Sequence, residues 1–218
     1  MLESVYNYNV GFIKSEEEKN LLLKILKAMS IIDRKFFVSD KDLAYYDTAL
    51  SIGEGQTISQ PSTMARMLIL ARLKKGDDIL EVGTGSGWNS CLISFLVYPG
   101  NVISIEKNNN LIKKAKENIK NLKRNLKQQD KEKLKNLKLK NINIFSFKSE
   151  KKFNKIIITA GINKQQEEKI KNLALNFLKE KGILICPYQE GPLIIFKKNK
   201  KLEKEKTKEE YVFVPLRE

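Results

Sequence analysis

The sequence predicts an α/β protein: a doubly wound, mostly parallel sheet with an N-terminal helical extension and a closing C-terminal antiparallel hairpin. Three observations carry that expectation. Short apolar runs alternate with helix-period segments from residue 78 to residue 188. A glycine-rich turn joins the first of these runs to a helix, and the last two runs follow each other with no helix between them.

Residues 15–30, SEEEKNLLLKILKAMS, read as a helix started by Ser15 as cap, with Glu18 completing a capping box. Leu21, Leu22, Ile25, Leu26 and Met29 make its apolar stripe. Residues 36–52 show no period and read as irregular. After Pro61, STMARMLILARL is a second amphipathic helix, ended by KKGDD. DILEV (78–82) is the first strand of the sheet, GTGSG its turn and WNSCLISFLV the next helix. NVISIE (101–106) is the second strand. The segment 110–140 is helical through Leu111, Ile112, Ala115 and Ile119, and its Lys/Asn/Leu-rich second half reads as an exposed loop. NINIFSF (141–147) is expected as the third strand and KIIITAG (155–161) as the fourth. QQEEKIKNLALNFLKEKG is expected as a helix ended by Gly182, and GILICPY as the fifth strand. LIIFKK (193–198) and YVFVPLR (211–217) are expected to pair antiparallel.

Composition removes whole classes of chemistry. The 218 residues contain no histidine, so His general-base catalysis, Ser-His-Asp triads and His metal sites are excluded. The two cysteines, Cys91 and Cys186, lie far apart in apolar contexts and read as buried thiols in a reducing, cytoplasmic setting. No run reaches transmembrane length, and no basic-then-apolar leader opens the chain. The net charge of +15 has two readings: attraction to nucleic acid, or Lys-rich solvated surface in the tracts 113–140 and 197–208. The second is favoured, since few aromatics accompany the charge.

The turn LEVGTGSG (80–87) spaces Gly83, Gly85 and Gly87 as GxGxG, with Thr84 and Ser86 between them. A dinucleotide fingerprint would read GxGxxG, and Trp88 breaks it, so the backbone is arranged for a ligand without a pyrophosphate. Glu106 ends the second strand where an acidic residue grips ribose hydroxyls, and Glu81 precedes the turn. Two carboxylates near a ligand suit a cation, and the sulfonium of S-adenosylmethionine is one.

AYYDTALSIGEGQTISQPSTMARML, followed by GDDILEVGTGSGWNS and VISIEKN, resembles the protein-L-isoaspartate O-methyltransferase family. The QTISQP stretch and the closing YVFVPLR are the parts most particular to that likeness. The resemblance implies a Rossmann-like methyltransferase sheet that uses S-adenosyl-L-methionine, releases S-adenosylhomocysteine and esterifies the free α-carboxyl of isoaspartyl residues in damaged proteins and peptides. Such an acceptor is already ionised at neutral pH and needs orientation, not a base, so the missing histidine is no obstacle.

By resemblance Ser59 is the active-site serine, acting as an orienter and not as a nucleophile. Gln56, Thr57, Ile58, Glu81, the turn residues 83–87, Glu106 and Lys107 are expected at the cofactor. Thr57, Ser59, Gln60, Val214 and Arg217 are expected at the substrate, with Ala44, Tyr45 and Asp47 in a lid-like segment. At 218 residues the chain is expected to form one domain over 1–218, with 1–62 as N-terminal helix and substrate cap and 63–218 as the cofactor-binding core.

The chain departs from the family after the third expected strand, where the loop to the fourth is also shortened, and in 120–140, which is expanded by Lys and Asn. A Gly-Asp-Gly usually follows the third strand, and its Asp holds the adenine amino group; FSFKSEKKFNK stands in the expected position, with Ser146, Ser149 or Glu150 as substitutes. Two alternatives stay open on this basis. One is an RNA methyltransferase, although TAGIN after the fourth strand lacks the Asn/Asp-Pro-Pro-aromatic loop of amino-methylating members. The other is a methyltransferase fold serving only as a binding module.

Overall fold

A computed structural model describes all residues 1–218. The N-terminal region is helical where its apolar residues recur at helix spacing. Helix α1 (Leu2–Val10) buries Val5 and Asn9, and Asn9 Nδ2 donates to the Ser62 carbonyl at 3.1 Å. Helix α2 (Glu16–Ile31) starts as its sequence demands: Ser15 Oγ accepts from the Glu18 N–H at 3.2 Å. Glu18 in turn reaches back to the Lys14 N–H, one residue earlier than a standard capping box. A two-stranded hairpin, β1 (Leu50–Gly53) and β2 (Gln56–Ile58), follows, and Pro61 then opens helix α3 (Pro61–Leu70).

The main sheet is built around β3 (Ile79–Val82), all four residues of which are buried. Burial on both faces is what a near-continuous apolar run in a parallel sheet predicts. Its neighbours are β4 (Val102–Glu106) and β6 (Phe153–Ile158), both parallel, with Ile79 opposite Val102 and Lys155. Helices α4 (Trp88–Val97) and α5 (Asn109–Asn125) form the crossovers on one side, and short α6 (Gln128–Glu132) leads into β5 (Leu137–Asn141). Helix α7 (Glu167–Phe177) links β6 to β7 (Leu178–Pro187), and β8 (Glu190–Lys198) and β9 (Leu202–Val212) complete the sheet antiparallel. The order β5-β4-β3-β6-β7-β8-β9 reverses direction between β3 and β6. In an open α/β sheet the crevice at that reversal, beyond the strand C-termini, is where ligands bind.

Three expectations need correction. The third strand is LKLKN (137–141), not NINIFSF. Leu137 and Leu139 pack toward the core while Lys138 and Lys140 point out, so the period-two pattern was hidden inside the Lys-rich tract; lysines also guard an open sheet edge. Residues Ile144–Ser146 form a 3₁₀ turn capped by Asn143. Helix α7 ends at Phe177, because Leu178 already pairs with Phe153 and the ladder then bulges before Ile183. The partner of β8 is the charged run 202–212, of which YVFVPLR contributes only Tyr211 and Val212. Lysines and glutamates pair across this hairpin, as Lys197 does with Glu205, so strand pairing needs no apolar residues on its solvent face.

No helix is long and apolar enough to cross a membrane.

Candidate active site

The glycine turn leaves β3 with three positive φ values, +97° at Gly83, +53° at Gly85 and +93° at Gly87, a backbone that side-chain-bearing residues rarely adopt. At Gly83 the constraint is also steric, since a Cβ would stand 2.5 Å from Thr159 Oγ1. That hydroxyl donates to the Gly83 carbonyl at 2.8 Å, tying the turn to the end of β6. Glu106 closes the turn from the neighbouring strand. One of its oxygens accepts from the Gly85 N–H at 3.0 Å and the other from the Asn108 N–H at 2.9 Å. Each carboxylate oxygen keeps further acceptor capacity toward the crevice.

Glu81 lies beneath this surface. It is fully buried, with its oxygens taking hydrogen bonds from Asn89 Nδ2 and Ser90 Oγ. Burial pushes its carboxyl up to about 7, against the opposing hydrogen bonds. Thr84 Oγ1 lies 2.6 Å from Ser104 Oγ, which also contacts Ser90 Oγ, so Glu81 anchors a polar network under the turn instead of facing the crevice.

Across the crevice stands the β1–β2 hairpin. Its two-residue loop, Glu54–Gly55, takes positive φ at both positions, as a tight hairpin turn requires. The Glu54 carboxylate accepts from Asn108 Nδ2 (3.0 Å) and Asn110 Nδ2 (3.1 Å), which hold it ionised below its usual range and clip the loop to the start of α5.

The strand that follows is placed by a residue the sequence reading did not single out. Arg34 is fully buried and donates to the carbonyls of Ala44, Tyr46, Thr48 and Ser59. Its guanidinium also lies 5.4 Å from the Trp88 ring centroid, and burial lowers its pKa to about 10, leaving it charged at neutral pH. Asp47, from the same loop, caps α3: it accepts from the Ser62 N–H at 2.8 Å, from Ser62 Oγ, and from Gln60 Nε2 at 3.2 Å. One guanidinium and one carboxylate therefore fix residues 44–62 as a unit. Ala44 is buried in it, while Tyr45 is exposed and bonded to Asp33 at 2.9 Å.

Three cavities meet around this segment. The first, about 260 Å³, runs from Gly83 and Glu106 past Lys107 and Asn108 to Ile142, Asn143 and Ile144, with Gln56 and Arg217 on its rim. The second is a small slot of about 30 Å³ over the turn, lined by Thr57, Ile58 and Ser59 on one side and by residues 83–86 on the other. The third, about 520 Å³, lies on the far side of the hairpin and is lined by Thr57, Ser59, Gln60 and Thr63 together with Tyr8 and the β8–β9 residues Glu190 and Tyr211–Phe213. Thr57 and Ser59 border both the slot and the third cavity. They form the partition between them.

Most expected residues thus converge, and a few land elsewhere. Arg217, expected beside the substrate, lines the first cavity with its guanidinium against the hairpin turn, where a Gly55 Cβ would meet it at 3.2 Å. Val214 takes part through its carbonyl, which accepts from the Gly161 N–H at 2.8 Å, while Val212 and Phe213 line the third cavity in its place. Ser146, Ser149 and Glu150 line none of the three cavities. The corrected strand explains why: the residues just after β5 are Ile142-Asn143-Ile144, so Asn143 occupies the position expected of the family's Asp. The signal was present in the alternation of LKLKN.

Comparison with known proteins accords with this geometry. The family model for protein-L-isoaspartate(D-aspartate) O-methyltransferase matches residues 9–218. A protein-L-isoaspartate O-methyltransferase of Ignicoccus hospitalis is 34% identical over 191 residues, covering 84% of this chain and 78% of its own. One from Thermosipho melanesiensis is 34% identical over 204 residues, covering 88% and 93%. Among solved structures, a Plasmodium falciparum chain described as a protein-L-isoaspartate O-methyltransferase, in complex with S-adenosyl-L-homocysteine, superposes with a TM-score of 0.76 at 25% identity, over 99% of this chain and 96% of that one.

Proposed function

Because the chain belongs to the protein-L-isoaspartate O-methyltransferase family, we propose that its three cavities divide the work of one reaction: S-adenosyl-L-methionine in the first, methyl passage through the slot, and an isoaspartyl peptide in the third. The activity is S-adenosylmethionine-dependent methyl esterification of L-isoaspartyl residues in proteins. The observation that carries the assignment of residues is the partition: Thr57 and Ser59 face the glycine turn on one side and an open cavity on the other.

The residues present fit the cofactor. Gly83 lines the cavity with bare backbone, held by Thr159 at a position where no Cβ fits, Glu106 offers acceptors to ribose hydroxyls, and Ile105, Ile142, Ile144 and Leu216 supply apolar walls for a base. Asn143 supplies an amide at the base end, where the family's Asp would supply a carboxylate. When bound, the cofactor supplies an electrophilic methyl on a cationic sulfur.

The chain's own residues then position the acceptor. Ser59 and Thr57 donate hydroxyl hydrogen bonds to the peptide carboxylate and aim one oxygen at the slot, and Gln60 lines the cavity beside them. No proton has to move, because the acceptor is ionised before it binds. Residues 1–62 cap a core formed by 63–218 within one domain, and the two buried thiols, Cys91 and Cys186, suit a reducing cytoplasm.

Paired synthetic peptides test this reading. Incubation with labelled S-adenosylmethionine should give base-labile, methanol-releasing esters on an isoaspartyl peptide and none on its aspartyl isomer. Equal labelling of both would refute the specificity, and no labelling of either, with the cofactor bound, would return the fold to a binding module.

A further inference from the structure

The charge of this protein is not spread evenly, and its placement marks a second surface. Residues 1–108 carry 12 basic and 13 acidic side chains and are close to neutral. The 33 residues from 109 to 141 carry 12 Lys or Arg against three acidic residues, Glu117, Asp130 and Glu132, which is nine of the fifteen net charges. At the opposite edge of the sheet, β9 alternates Lys and Glu. Residues 142–201 add 13 basic and five acidic side chains, a net eight over 60 residues and about half the density of 109–141. A compositional bias toward lysine codons would raise every region alike. It does not account for this asymmetry.

On α5 the charges also have a direction. Leu111, Ile112, Ala115, Ile119 and Leu122 form the buried face. Lys113, Lys116, Lys120, Arg124 and, just past the helix end, Lys127 are exposed and recur at spacings of three and four, so they stand in one stripe on the side away from the core. None of the five pairs with a carboxylate, although Lys133 and Lys135 close by do.

Helix stability does not ask for this arrangement. Like charges at i,i+4, as in Lys116–Lys120 and Lys120–Arg124, oppose helix formation. The helix dipole favours cations in the last turn, which accounts for Arg124 but not for Lys113 and Lys116 in the first half. Glu117, four residues after Lys113 and three before Lys120, is the one exposed acid on this face and forms no ion pair with them, so the stripe keeps the form of a surface for an external polyanion. Neighbouring charges about 6 Å apart approximate the spacing of successive phosphates along a strand.

We infer that the exposed face of α5 binds the phosphate backbone of nucleic acid, independently of sequence and apart from the methylation site. Backbone contact is the mode the residues allow. The segment 109–141 holds no aromatic side chain on which a base stacks, and lysines fix phosphates without reading bases. The stripe also lies outside the three cavities described above. The enzyme is thereby held among nucleic-acid-bound proteins, whose damaged residues become its nearest substrates.

The test is binding of the full-length protein to fluorescent oligonucleotides of unrelated sequence, across a salt series. Neutralising about five duplex phosphates should give a log–log salt slope of about −4.5. The triple variant K116E/K120E/R124E should weaken binding at least tenfold and flatten the slope by about three, with isoaspartyl peptide methylation and circular dichroism unchanged. The control K204E/K206E/K208E, on β9, makes the same change in net charge and should leave most of the affinity in place. Equal losses in both triple variants, or none in the first, would overturn the inference. So would tighter binding to polyglutamate or to phosphatidylserine vesicles than to oligonucleotide.

Discussion

The glycine turn and the hairpin face each other across one crevice but are held in opposite ways. The turn is made by its own sequence: three glycines, an apolar strand before them and a helix after, with Glu106 one strand away. The hairpin segment is made by its surroundings. Its course depends on Arg34, ten to twenty-five residues upstream of the carbonyls it binds, and on Glu54 reaching forward to α5. The first kind of structure fails when its backbone is altered locally, and the second when a distant side chain is removed. Four measurements separate the two walls.

The largest effect is expected at Gly83. Gly83→Ala places a methyl against Thr159 Oγ1 in a backbone with φ of +97°, so the turn must shift: S-adenosylmethionine affinity, read by calorimetry, should fall by about a hundredfold, with a stability loss of about 1–3 kcal/mol beside it. Near-normal affinity would show that the turn does not hold the cofactor.

Arg34→Met should do the reverse. Four carbonyls lose their donor, which should cost about 3 kcal/mol of stability in urea and reduce peptide turnover more than cofactor affinity. An equal loss of cofactor affinity would erase the distinction between the two walls.

Glu81 tests the foundation under the turn. Its folded-state pKa, raised to about 7, exceeds its unfolded value of 4.5, so its stabilising contribution is full below pH 4.5 and is lost as pH rises through 7. Glu81→Gln should remove that slope, changing the difference in unfolding free energy between pH 5 and pH 8 by about 2 kcal/mol. Parallel pH profiles for both proteins would mean that the buried carboxyl is ionised throughout.

The smallest effect belongs to the partition itself. Ser59→Ala leaves Thr57 in place, so kcat should fall about tenfold with cofactor affinity unchanged. A change confined to KM would make Ser59 a binding residue only.

The same contrast explains what was legible in the sequence. DILEV, GTGSG and NVISIE announce strand, turn and strand by local pattern, and all three stand where they were expected. The capping of α2 by Ser15 was equally local. What escaped notice depended on tertiary pairing. LKLKN and the KEKTKEE of β9 are strands because neighbouring strands accept them, and lysine-rich composition concealed their alternation. Asn143 was overlooked for that reason, since its place in the site follows from where β5 stops. Arg34 carries no motif at all, because a buried arginine satisfied by carbonyls can be recognised only when the fold brings those carbonyls together; Asp47 belongs to the AYYD stretch and was expected in a lid-like segment, but its capping of α3 follows only from the fold.

The wall of Thr57 and Ser59 has a kinetic corollary. With the nucleoside in the first cavity and the peptide in the third, as proposed above, the two ligands approach the wall from different sides of the hairpin and neither obstructs the other's exit. Esterified peptide can depart while spent nucleoside lingers, or the converse, and product-inhibition patterns should be those of random, not compulsory, order. An enzyme with two doors is limited by whichever is slower, so peptide bulk alters turnover only when the peptide's doorway is the slower of the two.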